Sequence, residues 1–234
     1  MKIKKIGQIL FCFYKNNEQL YSLTKRTIGL GMLLSRLLNE RYKSKPIEFL
    51  NLMFLDEESY ENDQRKIKGY NAIAGPAMSY YGVLDIEMYL QLAEEDKNAL
   101  IWKMACEYII KTAENHSNKD LVDACKYAYE TGVSLNYCTD LQGISSELIL
   151  FGKVIKSEIV FRFEDEKVTA FLILRNEDKV VFDKPLHKTD ADVGAFFYVF
   201  KEIVSVGNII LIKGPKNASI FPMTVTISAE DLMG

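Results

Sequence analysis

Histidine is nearly absent, tryptophan occurs once and no cysteine stands in a paired spacing, and each shortage removes a class of chemistry. Histidine is the side chain whose unperturbed pKa lies closest to neutrality, and the chain has only His116 and His187, so acid–base catalysis has few candidates. His116 falls at a predicted helix C-terminus, where histidine satisfies carbonyls and complements the dipole. His187, with Asp190 and Asp192, offers the donor types of a metal site. Both aspartates, however, fall at a predicted helix N-terminus, where capping explains them. Cys12, Cys106, Cys125 and Cys138 form no Cys-x-x-Cys and the chain has no His-x-x-x-His, which excludes the usual structural zinc patterns. Cys106 and Cys125 lie on predicted buried helix faces, as small hydrophobes rather than nucleophiles. That usage suits a reducing, cytoplasmic compartment.

Other absences narrow the partners. The net charge is −3, and the longest basic cluster, Arg65-Lys66-Ile67-Lys68, directly follows an acidic one, so no nucleic acid is expected. No apolar run approaches the roughly 20 residues that span a bilayer, so no membrane partner is expected either. Met1 to Lys5 followed by Ile6 to Tyr14 lacks the small-residue cleavage site of a secretory signal and reads as a first strand. Gly69, Gly75 and Gly82 match neither a phosphate loop nor a dinucleotide fingerprint. Carboxylates are too numerous for a catalytic pair to be picked out. The expectation is no catalytic residue, no metal and no cofactor.

What is present is an ordinary globular composition, 48% hydrophobic and 26% charged over 234 residues. The most legible stretch runs from Ala93 to Gly132. Ile101, Trp102, Ala105, Cys106, Ile109 and Ala113 recur on one helical arc, with Lys103, Glu107, Lys111 and Glu114 opposite. His116 to Asp120 is a polar turn into a second helix, whose Leu121, Ala124, Cys125 and Ala128 form a stripe of small residues that permits close approach. Gly132 is read as the residue that ends it.

Before this hairpin, Ile9 to Tyr14 is apolar on both faces, and Gln19 to Arg26 is read as its return strand. Leu30, Leu33, Leu34, Leu37 and Leu38 mark a helix up to about Tyr42. Pro46 then suits the first turn of another helix, with Ile47, Leu50 and Phe54 on one side. The glycine-bearing stretch Gly69 to Gly82 reads as a loop or broken helix, and Asp85 as the cap of a short helix.

Beyond Gly132 the periodicity changes to strands. Glu147 to Ile155, Ile159 to Phe163, Val168 to Arg175 and Val180 to Asp183, separated by polar turns, read as an antiparallel meander. Val193, Phe196, Phe197, Phe200 and Val204 are read as the stripe of one covering helix, followed by two strands, the last placed at an edge or bulge by Pro222. The expected fold is therefore α+β. A mainly helical N-terminal half (1–140) surrounds a central helical hairpin, and an antiparallel β-meander covered by one helix follows (146–234).

One association points to a partner. Asp56, Glu57, Glu58, Tyr60, Glu61 and Asp63 form the densest charge cluster, and Tyr70, Tyr80, Tyr81 and Tyr89 follow it. Tyrosine combines apolar area with a polar tip and is favoured at interfaces, while clustered carboxylates steer a basic partner. The competing reading places some of these tyrosines in the core and the carboxylates on a solvated loop. The sequence-level expectation is a cytoplasmic protein-binding protein, of the kind exemplified by inhibitors and toxin-neutralising immunity proteins, although no motif ties the chain to such a family. The alternatives are a hydrolase using the Tyr70 to Tyr81 loop and distant carboxylates, or a small-ligand binder.

Overall fold

The chain divides into two compact units, Met1–Thr139 and Asp140–Gly234. The structure is a computed structural model that describes residues 5–63, 71–74 and 77–232, with the backbone alone for 71–74.

The first unit is built on a sheet, which corrects the expectation of a mainly helical N-terminal half. Its strands are β1 (Ile6–Lys15), β2 (Glu18–Gln19), β3 (Ile47–Leu55), β4 (Asn71–Ala74) and β5 (Ala77–Val83), in the spatial order β2-β1-β3-β5-β4. β1, β3 and β5 run parallel, while β2 and β4 are antiparallel edge strands. Asn16 and Asn17 take positive φ angles of 51° and 66°, the tight hairpin conformation that asparagine tolerates, so β2 turns straight back on β1. The return is brief. After two residues the chain enters α1 (Tyr21–Arg26), where a strand to Arg26 was expected, and then α2 (Ile28–Arg41).

The stretch read as a helix from Pro46 is β3. Leu50, Leu52 and Phe54 alternate onto one face at period two, and they are a better guide than Ile47, Leu50 and Phe54, whose spacing also fits a helix. The expected loop between Gly69 and Gly82 is, in its described part, the β4–β5 hairpin. Residues 64–70 and 75–76 lie outside the described residues.

One face of this sheet is covered. Ile9, Phe11 and Phe13 of β1, Leu50, Leu52 and Phe54 of β3 and Met78 of β5 are each at most 4% exposed, beneath a layer of helices. That layer comprises α2, α4 (Ile86–Gln91), α5 (Glu94–Asn115) and α6 (Lys119–Ser134). Asn39 of α2 locks the start of β1, accepting from Lys5 and Ile6 N–H at 2.7 and 3.0 Å and donating to the Ile6 carbonyl at 2.7 Å. All six arc residues of α5 are buried as expected, and Asp85 caps α4 through Met88 N–H.

Gly132 does something other than expected. α6 continues past it to Ser134, and a Cβ there would lie 2.2 Å from Trp102 Cζ2. The position is a close approach of α6 to the indole, not a helix end. Gly82 is similar: a Cβ would lie 2.2 Å from the Tyr108 ring, so glycine lets α5 settle on β5.

The second unit contains a four-stranded meander, β6 (Leu141–Leu150), β7 (Lys153–Glu164), β8 (Lys167–Asn176) and β9 (Lys179–Asp190), paired in sequence order, but the expected first strand, Glu147 to Ile155, spans the positive-φ turn at Phe151 and Gly152 that joins β6 to β7. A three-stranded sheet follows, β10 (Glu202–Val206), β11 (Ile209–Lys213) and β12 (Met223–Thr226), with β12 at its edge after Pro222. The covering helix expected around Val193 to Val204 is replaced by a 3-10 turn, Gly194–Tyr198, and then β10. Its aromatic residues still fill the core. Phe196 and Phe200 meet Phe161 edge-on at 5.5 and 5.6 Å.

Candidate functional site

The residues singled out for partner binding separate once folded. Asp56 caps α3 (Glu57–Asn62), accepting from Ser59 N–H at 2.9 Å, and its second oxygen accepts from Asn16 N–H at 3.0 Å. Ser59 Oγ in turn accepts from Asn17 N–H at 2.7 Å. Burial pushes the Asp56 carboxyl up, but the Ser59 and Asn16 hydrogen bonds together with the Lys15 charge outweigh it and hold the group below its ordinary value. Asp56 therefore ties the β1–β2 turn to α3. Glu57, Glu58 and Glu61 are exposed, and Tyr60 and Asp63 are half-buried.

The tyrosines divide by strand parity. Tyr80 points to the helix-covered face and stacks on Tyr108 at 4.3 Å, with burial raising its phenol pKa. Tyr89 is buried against Phe13 at 5.7 Å, and burial pushes its phenol up to about 12. Tyr81, one residue on, lies on the opposite face. Tyr70 lies outside the described residues.

That opposite face is the distinctive surface of the unit. Cross-strand rows run Gln8–Phe49–Ala77, Leu10–Asn51–Ser79, Cys12–Met53–Tyr81 and Tyr14–Leu55–Val83. None of their apolar members belongs to the helix-covered core. Phe49 and Val83 are each 45% exposed and Leu10, Met53 and Ala77 are half-buried, while Cys12 and Leu55 are buried at 8% and 2%, so the face is open in part. Sheets of parallel strands are almost always covered on both faces. At the carboxyl end of the strands α3 packs against β1, β3 and β5, so Glu57, Glu58 and Glu61 stand at the end of the sheet. Lys15 and Glu87 pair at that end too.

Several other reactive groups are held in structural contacts, while Cys138 is exposed. Cys106 and Cys125 face each other between α5 and α6, and the Cys125 thiol donates to the Cys106 carbonyl at 3.4 Å. Contact with Cys125 and burial push the Cys106 thiol well above its ordinary value, which disfavours the nucleophilic thiolate. His187 in β9 lies beside the Phe196 ring at 5.7 Å, and Asp190 pairs with Lys167. Among the described residues no three His, Cys, Asp or Glu side chains gather closely enough to hold a metal ion. In the second unit Glu158, only 4% exposed, accepts from Arg175 Nε at 2.7 Å and Gln142 Nε2 at 2.9 Å, with Lys156 Nζ at 3.5 Å. Burial raises its pKa, but the Arg175 and Lys156 charges more than reverse that and hold it below the ordinary value.

Two features escaped sequence reasoning. The open sheet face was hidden by reading β3 as a helix, although the alternation of Phe49, Asn51 and Met53 against Leu50, Leu52 and Phe54 carries its signal. The other is a cleft of about 450 Å³ within the first unit, where His116 and Asn118 meet the chain between α2 and β3. No linear pattern marks it. Comparison with protein-family models, with curated proteins and with solved structures found no match for the chain.

Proposed function

We propose that the protein is a soluble, cytoplasmic binding protein that engages another protein through the open face of its N-terminal sheet. The observation that carries this reading is the partial exposure of that face, with Phe49 and Val83 each 45% exposed on strands of a kind ordinarily covered on both sides. The partner is basic. Glu57, Glu58 and Glu61 at the carboxyl end of the strands favour a positively charged rim around an apolar contact, and the net charge of −3 has the same sign. Among the described residues no helix is long and apolar enough to cross a membrane, and the cysteines are all unpaired, which supports a reducing compartment. An inhibitory or toxin-neutralising role is one form such binding takes.

The test starts from the full chain purified from its native cell together with the protein it retains. Association of that protein is then followed at several salt concentrations for the wild type and for Glu57→Lys/Glu58→Lys/Glu61→Lys. The reading expects slower association in the variant and a flatter salt dependence. An unchanged rate and slope, or the absence of any retained protein, contradicts it.

A further inference from the structure

The cleft beside His116 has the chemistry of a small-anion site. Among the described residues its lining includes Lys45 and His116 and no carboxylate, in a chain whose acidic residues outnumber its basic ones. Asp120, at the start of α6, accepts from the Lys43 and Ser44 N–H groups, each at 2.7 Å. Those two bonds fix the loop that presents Lys45. A second pair holds it from inside, for the buried Tyr42 hydroxyl donates to the Lys45 carbonyl at 2.8 Å and accepts from Asn118 Nδ2 at 3.2 Å. The loop is thus set in place before any ligand arrives, which lowers the entropic cost of binding.

The floor is different in kind. Ile47 and Met78 are buried and apolar, and Pro46 and Ala77 extend that surface. A volume of about 450 Å³ lies within the range of small-molecule sites. We propose that this cleft binds a small organic anion, with its charged head, a carboxylate or a phosphate monoester, between Lys45 and His116 and a ring-sized apolar body over Ile47 and Met78. Ser117 lines the same cleft, and its hydroxyl is of a type that can donate to the head, whereas the Ser44 side chain is hydrogen-bonded to Asp120. The proposal does not rest on the protein-binding reading, although the cleft and the open sheet face share Ala77.

The test titrates the full chain with phenyl phosphate, benzoate and the neutral benzyl alcohol. The readout is the Met78 methyl resonance, which a ring over the floor displaces. Saturable binding of either anion with a Kd on the order of 1 mM, and much weaker binding of benzyl alcohol, is expected. Preference between the two anions identifies the head group. Lys45→Met/His116→Gln, two exposed positions, should weaken the anion about tenfold while leaving thermal unfolding in place. Equal binding of benzyl alcohol, no binding of either anion, or unchanged affinity in the double variant would overturn the proposal.

Discussion

Replacing Gly132 by alanine probes the contact between α5 and α6 directly. A glycine in an exposed helix interior costs about 1 kcal/mol relative to alanine, so on propensity alone Gly132→Ala should stabilise the protein by that amount. The structure reverses the sign. The added Cβ would lie 2.2, 2.4 and 2.7 Å from Cζ2, Cε2 and Nε1 of Trp102, an indole that is 0% exposed and donates to the Tyr129 carbonyl at 3.4 Å. The ring has no free volume to enter, so either it leaves its rotamer or the helices separate. Overpacking of this kind costs about 1–3 kcal/mol, and subtracting the propensity gain leaves a net loss of up to about 2 kcal/mol. Trp102 is the only tryptophan in the chain, so its fluorescence reports this contact without interference. Urea denaturation followed at the indole should show a lower midpoint and a native-state emission shifted from wild type. A variant more stable than wild type, with unchanged emission, would refute the close-approach argument.

Substitutions at three further positions examine other parts of the structure. Glu158→Gln removes the charge that Arg175 and Lys156 share and should destabilise the second unit by about 1–2 kcal/mol at pH 7, read as faster amide exchange in β7 and β8. The folded-state pKa of Glu158 is depressed, so its contribution is present above the ordinary value of 4.5 and is lost as pH falls through the lower folded value; the variant should lack that part of the acid sensitivity. Asp120→Asn should weaken the two contacts to the loop after α2, costing about 1 kcal/mol, and amide exchange at Lys43 and Ser44 should quicken more than elsewhere. Tyr89→Phe removes a hydroxyl from a ring that stacks on Phe13 and should shift stability by less than about 1 kcal/mol, whereas Tyr89→Ala should cost about 3–5 kcal/mol, both measured by urea unfolding.

How legible the fold was depended on whether local pattern and long-range pairing agreed. In α5 they agree, and Ile101, Trp102, Ala105, Cys106, Ile109 and Ala113 are all buried where helical periodicity puts them. The β7–β8 and β8–β9 turns were legible for a similar reason, since antiparallel neighbours joined by tight polar turns leave their signal in adjacent residues, whereas the Phe151–Gly152 turn between β6 and β7 sits in an apolar run and was read through as strand. The parallel strands left no such trace. β3 pairs with β1 and β5 across long connections, and its Leu50 and Phe54 satisfy a helical spacing as well as a strand alternation. Gly82 looked like a loop residue because the Tyr108 ring that requires it is distant in sequence. Phe196 and Phe200 were placed in the core for the right chemical reason and in the wrong element: Phe196 lies in a short 3-10 turn and Phe200 in the segment between it and β10, which aromatic spacing does not distinguish from a helix.

The candidate surface was legible in its acids and not in its apolar part. Glu57, Glu58 and Glu61 are exposed, as their density suggested, but Asp56 is a cap and Tyr80 and Tyr89 face the core. Phe49 and Val83, which carry the present reading, become visible only when β1, β3 and β5 are aligned in register.

The central claim is that the open sheet face is a binding surface, and it is tested most directly by measuring the retained partner's affinity for Phe49→Ser/Val83→Ser beside its affinity for wild type. Both side chains lie outside the helix-covered core, so the double variant should keep wild-type unfolding to within about 1 kcal/mol while its Kd rises at least tenfold. An unchanged Kd in a folded double variant would contradict the account.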